Sequence, residues 1–452
     1  MKGVTLPTET VFVMEASPIK FGLGATDELA YDARRLGLKR VPIVTDRHIG
    51  ELGLPDRIRT LLEDEGVKAD IYDGVEIEPT DRSMEEAAEY ARQRELDGLV
   101  AVGGGSALDT CKAVNLLTTY PAPLLDYVNQ PVGRGRPVPG PLKPLIAVPT
   151  TAGTGSETTA VAVTHVLDHH VKAGVSHRLL RPALGIVDPL NTLTAPPEVT
   201  AAAGADILTH AIESYTTRPY NARPKHYPPD RPAYIGANPA SDVWCEKAIE
   251  YVGRFLRRAV LNGLDLEARV HLALAANHAG IGFGNAGVHL PHALAYPIAG
   301  LVRDYVPSGY KTRHPLVPHG VSVILTAPAA FRFTYPTAPE RHLRAAELLG
   351  VPVAELGEAE RREALPRALL ALMQDVGVPN GLTAVGYTER DVSALIEGTL
   401  RQPRLLAGTP RSVEATDLDL ILRDAMRCWE DGAAGPRLPA REERIPRPCP
   451  GA

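Results

Sequence analysis

An aspartate and several histidines in the second half of the chain have the residue types and spacing of metal ligands. Asp206 and His210 lie four residues apart, so on a helix their side chains would project from one face. Further histidines follow in the segments 288–292 and 314–319. One carboxylate and three imidazoles can fill the inner shell of a divalent ion. These residues therefore predict a metal centre.

Spacing alone leaves the ligand set open. The neighbours of Asp206 and His210 are apolar, and an unpaired carboxylate buried among them would be unfavourable. A buried Asp–His hydrogen bond without a metal explains this pair equally well. Two pairs of histidines also compete for the remaining positions: His289 with His292, and His314 with His319.

A glycine-rich segment earlier in the chain is typical of a dinucleotide-binding turn. It follows an apolar run and precedes a helical pattern, and glycine lets a backbone approach a phosphate closely. The serine is a candidate N-cap, and the aspartate three residues later completes a capping-box pattern. Amides at such a helix start attract a pyrophosphate, although a plain strand–helix turn is the alternative. The candidate residues are Gly103, Gly104, Gly105, Ser106 and Asp109.

A second small-residue segment, 149–159, also follows an apolar run. Its hydroxyls, among them Thr150, Thr151 and Thr154, suit contacts with phosphate and ribose. Asp46 ends an early apolar run and is a candidate for binding the adenosine ribose diol, which favours NAD over NADP. Capping of the following helix is an equally good explanation of Asp46.

Strands separated by helices predict the fold of the first part. Apolar runs indicate strands, and an Ala- and Glu-rich stretch at 84–93 indicates a helix, so the pattern favours βαβ units and a largely parallel sheet. The predicted strands are 41–45, 69–72, 98–102 and 145–148.

After residue 188 the apolar spacing becomes helical, at 201–215, 244–261, 266–279 and 341–349. The segments 220–239 and 300–318 are irregular, and long loops of this kind are often functional. We therefore predict an α/β domain over 1–188, a helical domain over 189–434 and a poorly ordered tail over 435–452.

Composition excludes several classes of protein. The chain has 452 residues, 23% of them charged, with a net charge of −6 and no long basic run, so neither nucleic acid nor an anionic membrane is an expected partner. The four cysteines have no paired spacing, which fits a reducing compartment. Without a signal core, a transit segment or a bilayer-length apolar run, the expectation is a soluble cytoplasmic protein.

Taken together, these segments resemble the iron-containing (group III) alcohol dehydrogenases. The resemblance implies a Rossmann-like NAD-binding domain followed by an all-α metal-binding domain, the architecture shared with dehydroquinate synthase. It also implies an inner shell of one aspartate and three histidines, holding Fe(II) or alternatively Zn(II). The matching pieces are residues 103–106, 149–154, 186–189, 206–213 and 318–321, and the implied ligands are Asp206, His210, His292 and His319.

One branch of that family, the hydroxyacid–oxoacid transhydrogenases, is the most similar, on the segments 231–242, 289–297 and 314–320. This likeness implies hydride transfer from 4-hydroxybutyrate to 2-oxoglutarate, giving succinic semialdehyde and 2-hydroxyglutarate, in a homodimer or larger homo-oligomer. Simple NAD-dependent dehydrogenation of primary alcohols or diols is the alternative. Tyr296 stands where many simple relatives carry a further histidine, and it is a candidate catalytic residue.

The resemblance also implies that Lys172 lies near the nicotinamide and takes part in catalysis or cofactor binding. A substrate carboxylate needs a cation, for which the sequence offers several without selecting one. These are Arg178, Arg181, Arg231, Lys311 and Arg313.

Overall fold

A parallel β-sheet forms the first part of the protein, whose computed structural model describes residues 8–169, 171–228, 231–312 and 314–430. The strands are β1 Ile19–Phe21, β2 Arg40–Val44, β3 Lys68–Tyr72, β4 Leu99–Gly103, β5 Leu145–Pro149, β6 Val161–Val166, β7 Val171–Ser176 and β8 Leu184–Val187. Six of them form one sheet in the order β1-β8-β5-β4-β2-β3, and each neighbouring pair is parallel. β6 and β7 form a separate antiparallel hairpin.

The four predicted strands correspond to β2, β3, β4 and β5, which are neighbours in the sheet and extend from its centre to the edge formed by β3. β2, β3, β4 and β5 each begin and end within one residue of the prediction. β4 and β5 are buried along their whole length, as expected for parallel strands covered on both faces. β1 and β8 are too short for a recognisable period, so the sequence patterns do not predict them.

Helices cover the sheet and are the main elements of the second part of the described chain. Before β8 they are α1 Leu29–Arg35, α2 Arg47–Glu51, α3 Leu54–Asp64, α4 Asp81–Arg92, α5 Gly105–Thr119 and α6 Leu124–Tyr127. After β8 they are α7 Pro197–Thr216, α8 Pro239–Leu261, α9 Leu266–Ala286, α10 Leu290–Gly300, α11 His319–Ile324, α12 Ala327–Thr334, α13 Pro339–Leu348, α14 Glu358–Asp375, α15 Val392–Leu400, α16 Pro403–Leu406 and α17 Ala415–Asp424.

The second part of the chain is helical, as predicted. The four predicted helices correspond to α7, α8, α9 and α13, and no strand follows β8 within the described ranges. α7 lies at the centre of this part, and nearly all of its residues are buried. The fold class is therefore confirmed, whereas the division into domains at residue 188 remains a prediction. The tail 435–452 lies outside the described residues.

None of the helices in the described part of the chain combines the length and the apolar character needed to cross a bilayer. The long helix α7 is apolar because it is surrounded by other helices of the protein.

Candidate metal and cofactor site

Three helices bring the predicted metal ligands together. Asp206 and His210 project from α7, His292 lies in the first turn of α10, and His319 begins α11. Asp206 Oδ1 lies 3.6 Å from His210 Nδ1 and 3.8 Å from Nε2 of both His292 and His319. One donor atom from each residue lies within 4.8 Å of the other three. These separations are too long for hydrogen bonds and suit donors that surround one ion.

Three of the four donor residues are buried and His319 is partly exposed; within the described residues, several donor atoms have no hydrogen-bond partner. They are Asp206 Oδ1, His210 Nδ1 and His292 Nε2. Burial raises the pKa of Asp206 well above its usual value and lowers the pKa of His210 and His319. A divalent cation would satisfy the unpartnered atoms and favour a charged carboxylate beside neutral imidazoles. The donor set therefore fits Fe(II) or Zn(II).

The position of His319 depends on a close contact between α11 and α7. Its neighbour Gly320 faces α7, where an added Cβ would lie 1.9 Å from the backbone oxygen of Ala202 and 2.9 Å from the Cβ of Asp206. No larger residue fits this space without displacing one of the helices. The contact holds His319 against the turn of α7 that carries Asp206.

Glu213 holds His292 from the side opposite the cluster. Its carboxylate accepts a hydrogen bond from the His292 backbone N–H at 2.9 Å and a second from the ring Nδ1. A proton on Nδ1 leaves Nε2 free to bind a metal. Glu213 is fully buried, which raises its pKa to about 7. The sequence patterns predict no role for Glu213, although its position three residues after His210 places it on the same helical face.

The structure separates the competing histidines from the cluster. His289 is fully buried, and its Nε2 lies 3.1 Å from Thr216 Oγ1. His314 is exposed on the loop before α11. Neither contributes a donor atom to the group of convergent ligands found in the described residues. The geometry therefore favours the other member of each competing pair.

The glycine-rich turn lies between β4 and α5. Gly104 is the N-cap of α5, and no side chain caps this helix start, so its first amides remain available to an anion. A Cβ added to Gly105 would lie 2.6 Å from Thr154 Cγ2. The two predicted cofactor segments therefore pack directly against each other, and Gly103 at the end of β4 joins them through its backbone oxygen, which accepts from the Thr150 N–H at 2.9 Å.

The predicted capping box at this turn is wrong. Ser106 lies inside α5, and its Oγ accepts a hydrogen bond from the Glu78 N–H at 3.2 Å. Asp109 accepts from Ser156 Oγ at 2.6 Å and from the Val163 N–H at 2.9 Å. Asp109 thus ties α5 to the second cofactor segment and to β6, contacts that are distant in sequence. Its predicted contact with the cofactor remains a prediction.

The remaining predicted cofactor residues surround the same turn. Asp46 caps α2 by accepting from the Ile49 N–H at 3.0 Å, which confirms the capping explanation. Asp46 also lines the cavity beside the turn, together with Thr151 and Thr154. The Oγ1 of Thr150 is buried and has no hydrogen-bond partner among the described residues. Ribose and phosphate binding by these side chains remains a prediction.

Lys172 lies on β7 and is almost completely buried. Its Nζ forms an ion pair with Glu78. Glu78 has a φ of 58°, a conformation that residues other than glycine rarely adopt. Both side chains line the cavity. The negative charge of Glu78 raises the pKa of Asp206, and the positive charge of Lys172 lowers it. A paired lysine is thus positioned beside the predicted metal ligands.

Tyr296 lies one helical turn after His292 on α10. Its ring centroid is 6.5 Å from that of His319, and the side chain is buried. Burial raises the pKa of Tyr296 to about 12, so the hydroxyl keeps its proton at neutral pH. In this state Tyr296 can donate a hydrogen bond but cannot act as a general base.

One cavity joins the metal cluster to the glycine-rich turn. Its wall includes Gly104 and Thr151 at one end and Asp206 and His319 at the other. Both irregular segments contribute to it, through Tyr234, Tyr310 and Lys311. A dinucleotide bound at the turn would therefore extend toward the metal cluster, which is the arrangement needed for redox chemistry at an alcohol carbon.

Comparison with known proteins places this architecture in a family. Residues 16–189 match "Iron-containing alcohol dehydrogenase", and residues 233–426 match "Fe-containing alcohol dehydrogenase family, C-terminal". A protein of Xenopus laevis named "Hydroxyacid-oxoacid transhydrogenase, mitochondrial" is 46% identical over 429 residues, covering 93% of this chain and 92% of the relative. The Homo sapiens protein of the same name is 47% identical over 428 residues, covering 93% of this chain and 91% of the relative.

The chain belongs to the iron-containing alcohol dehydrogenase family. It is thus an oxidoreductase, and membership implies a divalent metal and NAD as its cofactors. The solved structure of a 1,3-propanediol oxidoreductase of this family is similar, with a TM-score of 0.81 and 30% identity, covering 92% of this chain and all of the other. The family resemblance and the enzyme class predicted from sequence are confirmed.

The predicted cytoplasmic location is wrong by this comparison, because the Xenopus laevis and Homo sapiens relatives are both named as mitochondrial. The prediction depends on the composition of the N-terminal residues, of which 1–7 lie outside the described part of the chain.

Proposed function

We propose that this protein is a hydroxyacid–oxoacid transhydrogenase. The observation that carries the proposal is 46% identity over 93% of the chain to a relative of that name. In the proposed reaction, 4-hydroxybutyrate loses a hydride and a proton and becomes succinic semialdehyde. The hydride and a proton then reduce 2-oxoglutarate to 2-hydroxyglutarate, so no external oxidant is consumed.

The convergent side chains of the three helices would hold the metal, and the turn after β4 would hold the pyrophosphate of NAD. When bound, a divalent metal supplies Lewis acidity toward the substrate hydroxyl, and NAD supplies the carbon that accepts and returns hydride. We propose Fe(II) as the metal, with Zn(II) as the alternative, since three imidazoles and a carboxylate suit both. We also propose a homodimer or larger homo-oligomer.

The chain's own residues prepare this site in distinct ways. Glu213 fixes the ring of His292 in the orientation that presents Nε2. Lys172 places a positive charge beside the cavity, and Glu78 compensates that charge. Tyr296 offers a protonated hydroxyl to an oxygen of the substrate. These roles of Lys172 and Tyr296 are part of the proposal.

Isotope transfer tests the proposed reaction. The metal-loaded protein is incubated with 4-hydroxybutyrate carrying deuterium at its hydroxyl-bearing carbon, with 2-oxoglutarate and without added NAD. Mass spectrometry should find the deuterium at C2 of 2-hydroxyglutarate. Asp206→Ala, which removes one predicted ligand, should abolish the transfer. Absence of labelled 2-hydroxyglutarate from the metal-loaded wild type would contradict the proposal.

Similarity to a 1,3-propanediol oxidoreductase favours a second candidate, a simple NAD-dependent alcohol dehydrogenase. Such an enzyme releases its reduced cofactor after each turnover. Steady formation of NADH from 1,3-propanediol and added NAD, with no isotope transfer between hydroxy acid and oxo acid, would identify this activity.

A further inference from the structure

A hydroxy acid differs from an alcohol by its carboxylate, so an enzyme that selects it needs a cation in the cavity. Three lysine or arginine side chains line the cavity in the described part of the chain: Lys172, Lys311 and Arg404. Lys172 is already paired with Glu78. Lys311 is exposed and lies 3.5 Å from Glu51. Arg404 therefore stands apart from the other two.

Arg404 makes no ion pair with any carboxylate in the described residues, although it is only partly exposed. Its Nη1 atom is buried and has no hydrogen-bond partner there. The guanidinium lies over the ring of Tyr234, with 4.7 Å between its Cζ and the ring centroid. Aromatic contact stabilises a cation but supplies no hydrogen-bond acceptor for the buried Nη1. A carboxylate would supply one through a bidentate contact.

Arg404 also lies on the side of the cavity that faces the metal cluster. Its positive charge lowers the pKa of His292. The guanidinium also faces the hydroxyl of Tyr296, which lies one turn after His292 on α10. Tyr296 in turn lies beside His319. A short substrate with its hydroxyl at the cluster could therefore direct a carboxylate at its far end toward Arg404.

The segment that carries Arg404 is held in place on both sides. Leu405 is buried in an apolar cluster that includes Tyr234 and Tyr296. Gln402 is buried, and its Nε2 donates to the backbone oxygen of Lys172 at 3.5 Å. These contacts fix α16 against the hairpin and α10, so the guanidinium does not depend on a mobile loop for its position.

The cations predicted from sequence do not meet this requirement. Arg178 and Arg181 both pair with Glu15, at 3.2 Å and 2.7 Å, and Arg231 pairs with Glu9 at 3.1 Å. None of these three lines the cavity. Arg313 lies outside the described residues. The sequence gives no reason to single out Arg404, because it lies 85 positions after the last predicted metal ligand.

We propose that Arg404 binds the carboxylate of the hydroxy acid and oxo acid substrates and so selects them over uncharged alcohols. This inference rests on the proposed function and adds its specificity residue. A neutral alcohol leaves the guanidinium without an anion, whereas a substrate carboxylate supplies an acceptor for its unpartnered Nη1.

Substrate comparison tests the inference. For Arg404→Leu, kcat/KM for 4-hydroxybutyrate should fall by roughly 30-fold or more, the loss typical of removing one partner of a charge pair. With 1-butanol and added NAD, the rate should be unchanged or higher. Arg404→Lys keeps the charge but not the bidentate geometry and should give an intermediate loss. Equal losses on both substrates would overturn the inference.

A matched control and a binding measurement separate this inference from the proposed function. Arg401→Leu removes an exposed arginine that pairs with Glu397 and should leave both substrates unaffected. Calorimetry with glutarate, a dicarboxylate that cannot react, should show weaker binding to Arg404→Leu than to wild type, with metal content unchanged. If wild type transfers no hydride but loses glutarate affinity on Arg404→Leu, only the proposed reaction fails. If transfer and glutarate binding both survive Arg404→Leu, only the role of Arg404 fails.

Discussion

Glu213 shows how one buried side chain can control a site that it does not enter. It receives both the backbone N–H and the ring Nδ1 of His292 and is itself fully buried. Without this acceptor the imidazole could rotate or move its proton to Nε2, the atom that faces Asp206. Its contribution is therefore measurable as metal affinity.

Replacing Glu213 with Gln should weaken metal binding by about 10- to 100-fold, because an amide is a poorer acceptor for the His292 ring. Competition against a chromogenic chelator measures the change. Glu250→Gln, on the surface of α8 where Glu250 pairs with Lys247, is the control and should bind metal as wild type does. Equal affinities for the two variants would contradict the assigned contact.

At the residue scale, local spacing predicted part of the candidate site. Asp206 and His210 belong to one helix, so their shared face follows from a separation of four residues. His292 and His319 became identifiable only through family resemblance, because their meeting with α7 depends on how α10 and α11 pack. Arg404 was not predicted, because only the fold shows that it makes no ion pair with a carboxylate in the described residues.

Among the contacts between elements, the one between α11 and α7 leaves no space for a side chain at position 320. The Cβ of an alanine at position 320 would overlap the backbone oxygen of Ala202, at 1.9 Å. Backbone atoms cannot rotate away as a side chain can, so one helix must shift. Any shift moves His319 relative to Asp206.

Gly320→Ala should therefore destabilise the protein by about 1–3 kcal/mol and reduce its metal content at the same time. Thermal unfolding and elemental analysis measure the two effects. Gly50→Ala is the matched control: Gly50 lies in α2, and its added Cβ would come no closer than 3.9 Å to Asp73. Retention of full metal content by Gly320→Ala would argue against the contact as the support of His319.

The junction of α12 and α13 contains a histidine that is buried in its neutral form. His342 Nε2 lies 2.9 Å from Thr334 Oγ1, and Nδ1 lies 2.8 Å from the Ala338 backbone oxygen. Burial lowers the pKa of His342 to about 4. Between roughly pH 4 and the unfolded value near 6.5, the unfolded chain binds a proton that the folded protein excludes. Stability should therefore fall as pH falls through this window.

Comparing His342→Gln with wild type isolates this effect, because other titrating groups are common to both. The variant should be less stable at pH 7.5, where its hydrogen bonds are weakened. It should, however, lose less stability between pH 7.5 and 5, by up to roughly 2 kcal/mol. Urea unfolding at both pH values measures the difference. Equal losses of stability in the two proteins over this pH range would contradict the burial of a neutral His342.

At the element scale, the strength of an apolar pattern determined what sequence could predict. β4 and β5 are continuous apolar runs, and both were located to within one residue. The capping box at Ser106 was wrong because Ser and Asp at that spacing also suit contacts with distant segments. Here Glu78 and Ser156 provide those contacts, and neither is close in sequence.

For the whole molecule, the predicted metal site links parts of the chain that are far apart. Its ligands lie between residues 206 and 319 on three separate helices. The unfolded chain cannot present them together, so a metal binds the folded state preferentially. Metal binding should consequently stabilise the entire helical part.

Removing the metal with a chelator should lower the melting temperature, and restoring Fe(II) or Zn(II) should recover it. At a free metal concentration of 100 times Kd, the stabilisation is about 2.7 kcal/mol. Differential scanning calorimetry measures the shift. Asp206→Ala should melt at one temperature with or without added metal, and a metal-dependent shift in that variant would place the binding site elsewhere.

The short helix α16 separates two properties of this molecule. The predicted metal ligands end at His319, whereas Arg404, the proposed carboxylate-binding residue, belongs to a helix of four residues, Pro403–Leu406, near the end of the described chain. Substitutions in that helix could alter which molecules are accepted while the oxidising centre stays intact. A change of substrate range during evolution would then need few mutations. Each intermediate protein would keep its metal site and therefore its activity.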